Sequence, residues 1–270
     1  MSMTVTGRMN YVAPMTVRAR FHANDASRDV LTLDPRTVDI EDVRGAAIAP
    51  TLEREGFSLF PHKSRVEDFR NTGEVAARYP AEIERLVLEV SAADHVVVTG
   101  SGILRFGERS ADCGQLNNSR PARFIHVDVS NSTAAQFATR SKPAALQRRV
   151  RRFAHYNIWR VISPPPQDVP LAVCDARTVA PADLMPADAV FDHRGQPEWS
   201  FEGLVVHFNP VHRWCYYSNM NRGEALVFKT HDSQPGAPSQ VPHSAFDDPT
   251  CPQGVEPRAS IEIRAIAYWA

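Results

Sequence analysis

The chain has little of what would tie it to a nucleic acid, a membrane or a disulfide scaffold. Its 30 Lys and Arg nearly cancel its 31 Asp and Glu, for a formal net charge of −1, so no basic excess points to nucleic acid or an anionic bilayer. The four cysteines, Cys113, Cys174, Cys215 and Cys251, are scattered and form no Cys-x-x-Cys pair. That argues against a zinc knuckle and against a disulfide framework. No apolar run approaches the length of a bilayer span, and residues 1–14 lack a signal-peptide core. These absences predict a cytoplasmic protein with reduced thiols. Its expected partners are a small-molecule substrate and, at most, a second copy in a homodimer, with no nucleic acid and no membrane.

What is present is a globular composition. Hydrophobic residues make up 43% and charged residues 23% of 270, which supports one packed domain over residues 1–270. Prolines (21) outnumber glycines (13), as expected for many short strands and turns. Residues 9–23 and 29–33 read as strands, with Ser64 capping a short helix. Pro80 reads as the first residue of a stronger helix over 80–92, because a proline there forgoes no hydrogen bond and Ile83, Leu86, Val87 and Val90 recur at helical spacing. The β-branched run 95–99 reads as a buried strand leaving through Gly100 and Gly102. Residues 108–121 read as a loop and 131–154 as a helical insert, whose basic run Arg148, Arg149, Arg151 and Arg152 reads as a solvated face. Residues 181–197 read as a polar excursion. Short strands otherwise continue to the end, so the predicted fold is mainly β with a helical layer, on a double-stranded β-helix or jelly-roll core over 120–270, with the first 110 residues packing on it.

The stretch that carries chemistry is Phe124-Ile-His-Val-Asp128. On an extended chain His126 and Asp128 share one face while Ile125 and Val127 take the other. A second histidine would complete a two-histidine, one-carboxylate set, which leaves open positions on an iron(II) ion. His155, His193, His207, His212, His231 and His243 are the candidates. In double-stranded β-helix oxygenases the distal histidine lies on the penultimate strand, a place that His243, fenced by Pro242 and Pro249, alone occupies.

The last strand adds a second signal. Arg258, Ser260, Glu262 and Arg264 alternate with Ala259, Ile261, Ile263 and Ala265, a polar row opposite an apolar one. A dicarboxylate such as 2-oxoglutarate needs a guanidinium for its far carboxylate and a hydroxyl beside it. Either Arg258 or Arg264 meets the first need and Ser260 the second. Asn157, Trp159, Tyr216, Tyr217 and Met220 are the expected pocket residues, with packing as the plainer role for Met220. Arg160 is expected to face outward toward Asp175.

Asn157-Ile-Trp159-Arg160, the segments 170–177, 212–220 and 224–233, His243-Ser-Ala-Phe and Arg258-Ala-Ser260 together resemble one family, from about residue 50 to the C-terminus. It is the CmcJ-type hydroxylase/desaturase family of specialised metabolism. The resemblance implies a non-haem iron(II), 2-oxoglutarate-dependent dioxygenase using O2 for hydroxylation, desaturation or oxidative cyclisation of a small natural-product intermediate. It also implies His126, Asp128 and His243 as iron ligands, with Arg258 and Ser260 at the cosubstrate. Ala259 replaces the family's usual acidic residue, and Tyr217-Ser218 replaces an aromatic-proline pair. Two rivals are a cupin-like ligand-binding module without turnover and a zinc hydrolase.

Overall fold

A computed structural model of the chain describes residues 3–146 and 150–270; Arg148 and Arg149 of the basic run lie outside them. The first part of the chain forms strands β1 (Thr4–Val12), β2 (Ala19–His22), β3 (Leu33–Asp42) and β4 (Phe57–Pro61), helix α1 (Thr72–Ser91) and strand β5 (His95–Phe106). Strand β6 (His126–Val127) and helix α2 (Asn131–Ser141) follow, then β7 (Arg152–Val161), β8 (Leu171–Cys174), β9 (Leu184–Phe191) and β10 (Trp199–Val206). The last strands are β11 (Trp214–Tyr216), β12 (Glu224–Asp232), β13 (His243–Ala245) and β14 (Ala259–Trp269).

These strands make two sheets. One has the order β1-β3-β11-β8-β13-β6-β10-β9-β2 and the other β4-β12-β7-β14-β5, a jelly-roll arrangement in which most neighbours in space are far apart in sequence. The alternation in β14 decides how the sheets are used. Its Ala259, Ile261, Ile263 and Ala265 join Tyr156 and Ile158 of β7 in a cluster with Val75, Tyr79, Ile83, Leu86 and Val87 of α1, so the apolar row lies under the helix. The polar row of Arg258, Ser260, Glu262 and Arg264 therefore looks the other way, into the space between the sheets. Trp159, Leu226 and Phe228 supply the apolar lining on that inner side.

Several elements depart from expectation. Helix α1 begins at Thr72, capped by the Asn71 side chain, which accepts from the Glu74 amide. Pro80 therefore lies inside the helix, tolerated because the apolar stripe on both sides of it is buried against the sheet. No helix starts at Ser64, whose hydroxyl instead donates to Glu82. The helical insert is α2 plus a short turn at Ala144–Leu146, and β7 is already extended at Arg152. The segment read as a polar excursion contains β9, paired along its whole length with β10. Arg160 does lie on the α1 side of β7, but it is buried and donates to the Tyr79 hydroxyl and the His62 carbonyl. Asp175 pairs with Arg177 and Arg213 instead. Among the described residues no helix is long and apolar enough to cross a membrane.

Candidate metal centre

His126 sits on β6 and Asp128 immediately follows that strand. His243 is the direct antiparallel partner of His126 across the β13–β6 pair. All three are buried. Two histidines opposed in an antiparallel ladder project to the same face at close range, and their rings are 4.3 Å apart between centroids. The Nε2 atoms of His126 and His243 lie 3.5 and 3.8 Å from Asp128 Oδ1, and one ligand atom from each residue falls within 4.8 Å of the others.

The hydrogen bonds behind the three side chains aim them. His126 Nδ1 donates to the Phe124 carbonyl (3.0 Å) and His243 Nδ1 to the Val241 carbonyl (3.3 Å). Since a carbonyl only accepts, each ring carries its proton on Nδ1 and presents the Nε2 lone pair. Asp128 Oδ2 accepts from Asn157 Nδ2 (2.6 Å) and Arg264 Nε (2.9 Å), so Oδ1 is the oxygen turned to the histidines. Asn157 and Arg264 reach the same oxygen because they are register partners on β7 and β14.

The electrostatics match a cation site. Burial works against the Asp128 charge, but Arg264 and then the two histidines outweigh it and hold the carboxyl well below its ordinary range. Burial, with His126 beside it, pushes His243 down to about 3, which keeps the imidazole neutral as a ligand must be. His243 Nε2 is moreover a buried nitrogen without a hydrogen-bond partner, an expense that native interiors rarely leave uncompensated. The donor set of two imidazoles and one carboxylate suits iron(II), and the residues fit that ion.

Two spaces open from the centre. A narrow one runs from His126 and His243 past Trp159 and Glu262 to Arg258. There Arg258 is buried, donates from Nε to the Val169 carbonyl (2.9 Å) and from Nη1 to Ser260 Oγ (2.5 Å), and lies over the Trp159 ring. Burial, followed by the nearby Arg105 charge, lowers its pKa to about 10, a setting in which an anion is welcome. Arg264, by contrast, is engaged by Asp128 and Glu262. The second space is a cavity of about 490 Å3 bordered by His126, Asp128 and Arg264.

Of the expected pocket residues, the structure brings Asn157 and Trp159 to the site. Tyr216 packs edge-on against Phe246, and Tyr217 stands edge-on to Phe57 in the cluster that also holds Met220. None of these three borders either space. The residues that do border the large cavity include Phe21, Phe124, Phe191, Phe201 and Arg105, none of which was expected from the sequence to line a pocket. Arg105 escaped notice because Gly100 and Gly102, at φ of +86° and +101°, read as the end of a strand. They carry β5 through a register shift instead, and Arg105 then pairs with Ser260.

Comparison with known proteins gives a consistent picture. The family model described as an oxidoreductase/YMDC permease-like domain matches residues 8–268. Hydroxylase/desaturase CTB9 of Cercospora beticola is 31% identical over 255 residues, 87% of this chain and 77% of that protein. The Fe(II)/2-oxoglutarate-dependent dioxygenase nvfI of Aspergillus novofumigatus is 29% identical over 93% of this chain and 83% of its own. A solved structure described as the iron and alpha-ketoglutarate-dependent endoperoxidase NvfI superposes with a TM-score of 0.84 at 25% identity, covering 99% of this chain and 98% of the other.

Proposed function

This chain belongs to the oxidoreductase/YMDC permease-like domain family, and from that premise we propose that His126, Asp128 and His243 hold the iron(II) of a 2-oxoglutarate-dependent oxygenase. Relatives of the chain are Fe(II)/2-oxoglutarate-dependent dioxygenases and hydroxylase/desaturases, and the chain is an oxidoreductase of that kind, acting on a small natural-product intermediate. The observation that carries the ligand assignment is the convergence of two Nε2 atoms on Asp128 Oδ1 with one of those nitrogens buried and unpaired.

Iron(II) held by His126, Asp128 and His243 would, with 2-oxoglutarate, supply the oxygen-activating chemistry. The protein's own residues do the positioning. Phe124 O and Val241 O fix the two imidazole orientations, and Asn157 and Arg264 occupy Asp128 Oδ2 so that one oxygen is offered. Arg258, at the far end of the narrow space with Ser260 beside it, is placed to take the distal carboxylate of 2-oxoglutarate in a charge-assisted pair. Trp159 walls that space against water. Arg264 is already shared between two carboxylates, which favours Arg258 as the anchor. A zinc hydrolase has no use for a buried Arg258–Ser260 pair, and a binding module without turnover is at odds with the relatives' activities.

The test is oxygen uptake and succinate formation by the iron-loaded protein, together with its iron content. His126→Ala, Asp128→Ala and His243→Ala should each lose bound iron and 2-oxoglutarate turnover, whereas Arg258→Ala should keep iron and lose at least about tenfold in 2-oxoglutarate affinity, the scale of one charge-assisted bidentate contact. Full iron retention in all three ligand variants would sink the assignment.

A further inference from the structure

The large cavity has two unlike walls. One is aromatic: Phe21 packs on Phe124 at 4.9 Å and Phe191 on Phe201 at 5.4 Å between ring centroids, with Leu31 beside them. The other carries guanidiniums. Arg123 grips Glu108 through bonds of 2.6 and 2.8 Å and also reaches Asp247, and Arg264 is shared by Asp128 and Glu262. Arg120 is exposed and has no ion pair among the described residues, and Arg105, which is less exposed, also differs from Arg123 and Arg264. Its Nη1 donates to the Asn118 carbonyl (3.2 Å), the Asn118 side-chain oxygen (3.0 Å) and the Arg120 carbonyl (2.8 Å), all neutral acceptors. Among the described residues no carboxylate is within ion-pair distance of it. The loop thus holds the guanidinium still at the border of the large cavity, where it also borders the narrow space that leads to Arg258. Burial lowers its pKa, Glu262 opposes that shift, Arg264 adds to it and Asp128 opposes it; neither carboxylate makes an ion pair with it, so an anionic ligand would add the direct contact that the guanidinium lacks.

We propose that the substrate is a carboxylate with an apolar body, its carboxylate docked on Arg105 and its body laid along the Phe21–Phe124 and Phe191–Phe201 wall. This rests on the oxygenase reading, since it places the body of the ligand beside the metal centre. The size agrees: a cavity of about 490 Å3 lies within the range of small-molecule sites, roughly 300 to 1,000 Å3.

The experiment is calorimetric titration of the iron(II)- and 2-oxoglutarate-loaded protein under nitrogen with 2-naphthoate and with its neutral match, 2-naphthamide. The wild type should prefer the carboxylate by about tenfold or more, as a bidentate charged contact implies. Arg105→Gln should bring the two probes to similar affinity, and Arg105→Lys, which keeps the charge without the planar fork, should keep part of the preference. Equal binding of the two probes by the wild type overturns the proposal whether or not any variant folds. An undiminished preference in folded Arg105→Gln overturns it as well. So does loss of 2-oxoglutarate affinity in that variant before the probe is added, because the guanidinium would then serve the cosubstrate. Iron(II) titration of the same wild-type protein separates the two ideas: a carboxylate preference in protein that takes up no iron(II) would count against the oxygenase reading alone.

Discussion

Asp128 shows how much one residue's role depends on its neighbours. A buried carboxylate is costly unless its charge is matched, and here Asn157 and Arg264 match one oxygen and leave the other facing His126 and His243. Loss of either partner should free the carboxylate to rotate. Asn157→Ala and Arg264→Ala are accordingly expected to weaken iron binding by about 10- to 100-fold, as for other residues that orient metal ligands, in a chelator-competition assay; unchanged affinity in both would show that Asp128 is held by something else. His155 makes a separate prediction about pH. Burial, with His231 next to it, lowers its pKa to about 4. The unfolded value is higher, near 6.5, so between these limits the unfolded chain binds the extra proton and stability falls as pH falls from about 6.5 to about 4. The effect of His155 is on the order of 3 kcal/mol. Urea midpoints of the metal-free protein at pH 7 and 4.5 should differ, and His155→Leu should shrink the difference.

At the scale of elements, the legible ones were those whose pattern is local. The alternation in β14 stood out in the sequence because one strand face is apolar throughout, and the late strands β7, β8, β10 and β12 were bounded by proline and polar turns. Strand β9 was hidden because it lies at one side of its sheet with Pro186 and Asp188 in it, and only pairing with β10 and β2 makes it a strand. Helix α1 was read too short since a proline usually marks a first turn, and the burial of Val75 and Tyr79 ahead of it is a tertiary fact. One close approach between strands bears on the metal centre. A Cβ at Gly203 of β10 would stand 3.0 Å from the Asp128 carbonyl oxygen and 3.2 Å from that of Val127, against backbone that cannot swing aside. Gly203→Ala is therefore expected to destabilise the fold by about 1–3 kcal/mol, as overpacking does, and to lower iron affinity. A stable variant with normal iron affinity would mean that β10 shifts freely past Asp128.

At the scale of the whole molecule, the centre joins the two sheets. His126, Asp128 and His243 come from or beside the nine-stranded sheet, and Asn157, Arg258, Ser260 and Arg264 from or beside the five-stranded one. Ligands bridging the sheets should stabilise the fold by mass action. Iron(II) and 2-oxoglutarate together at about 100 times their dissociation constants are expected to add about 2.7 kcal/mol per saturated site. Thermal unfolding under nitrogen should show the rise in the wild type and only the iron part of it in Arg258→Ala. A full rise in that variant would place the cosubstrate elsewhere.

By itself the sequence determined the chemistry on offer. It put an imidazole and a carboxylate on one strand face, set an arginine and a serine in a polar row near the C-terminus, and excluded a basic or cysteine-based function, because charge, composition and period-two alternation are written locally. Only the tertiary structure decided which groups meet. His243 pairs with His126 across 117 residues of chain (243 minus 126). Arg264 goes to Asp128 while Arg258 closes the narrow space. Phe191, Phe201 and Arg105, rather than Tyr216, Tyr217 and Met220, border the large cavity. Strand order and register arise from the burial of many faces at once, and no single segment carries that information.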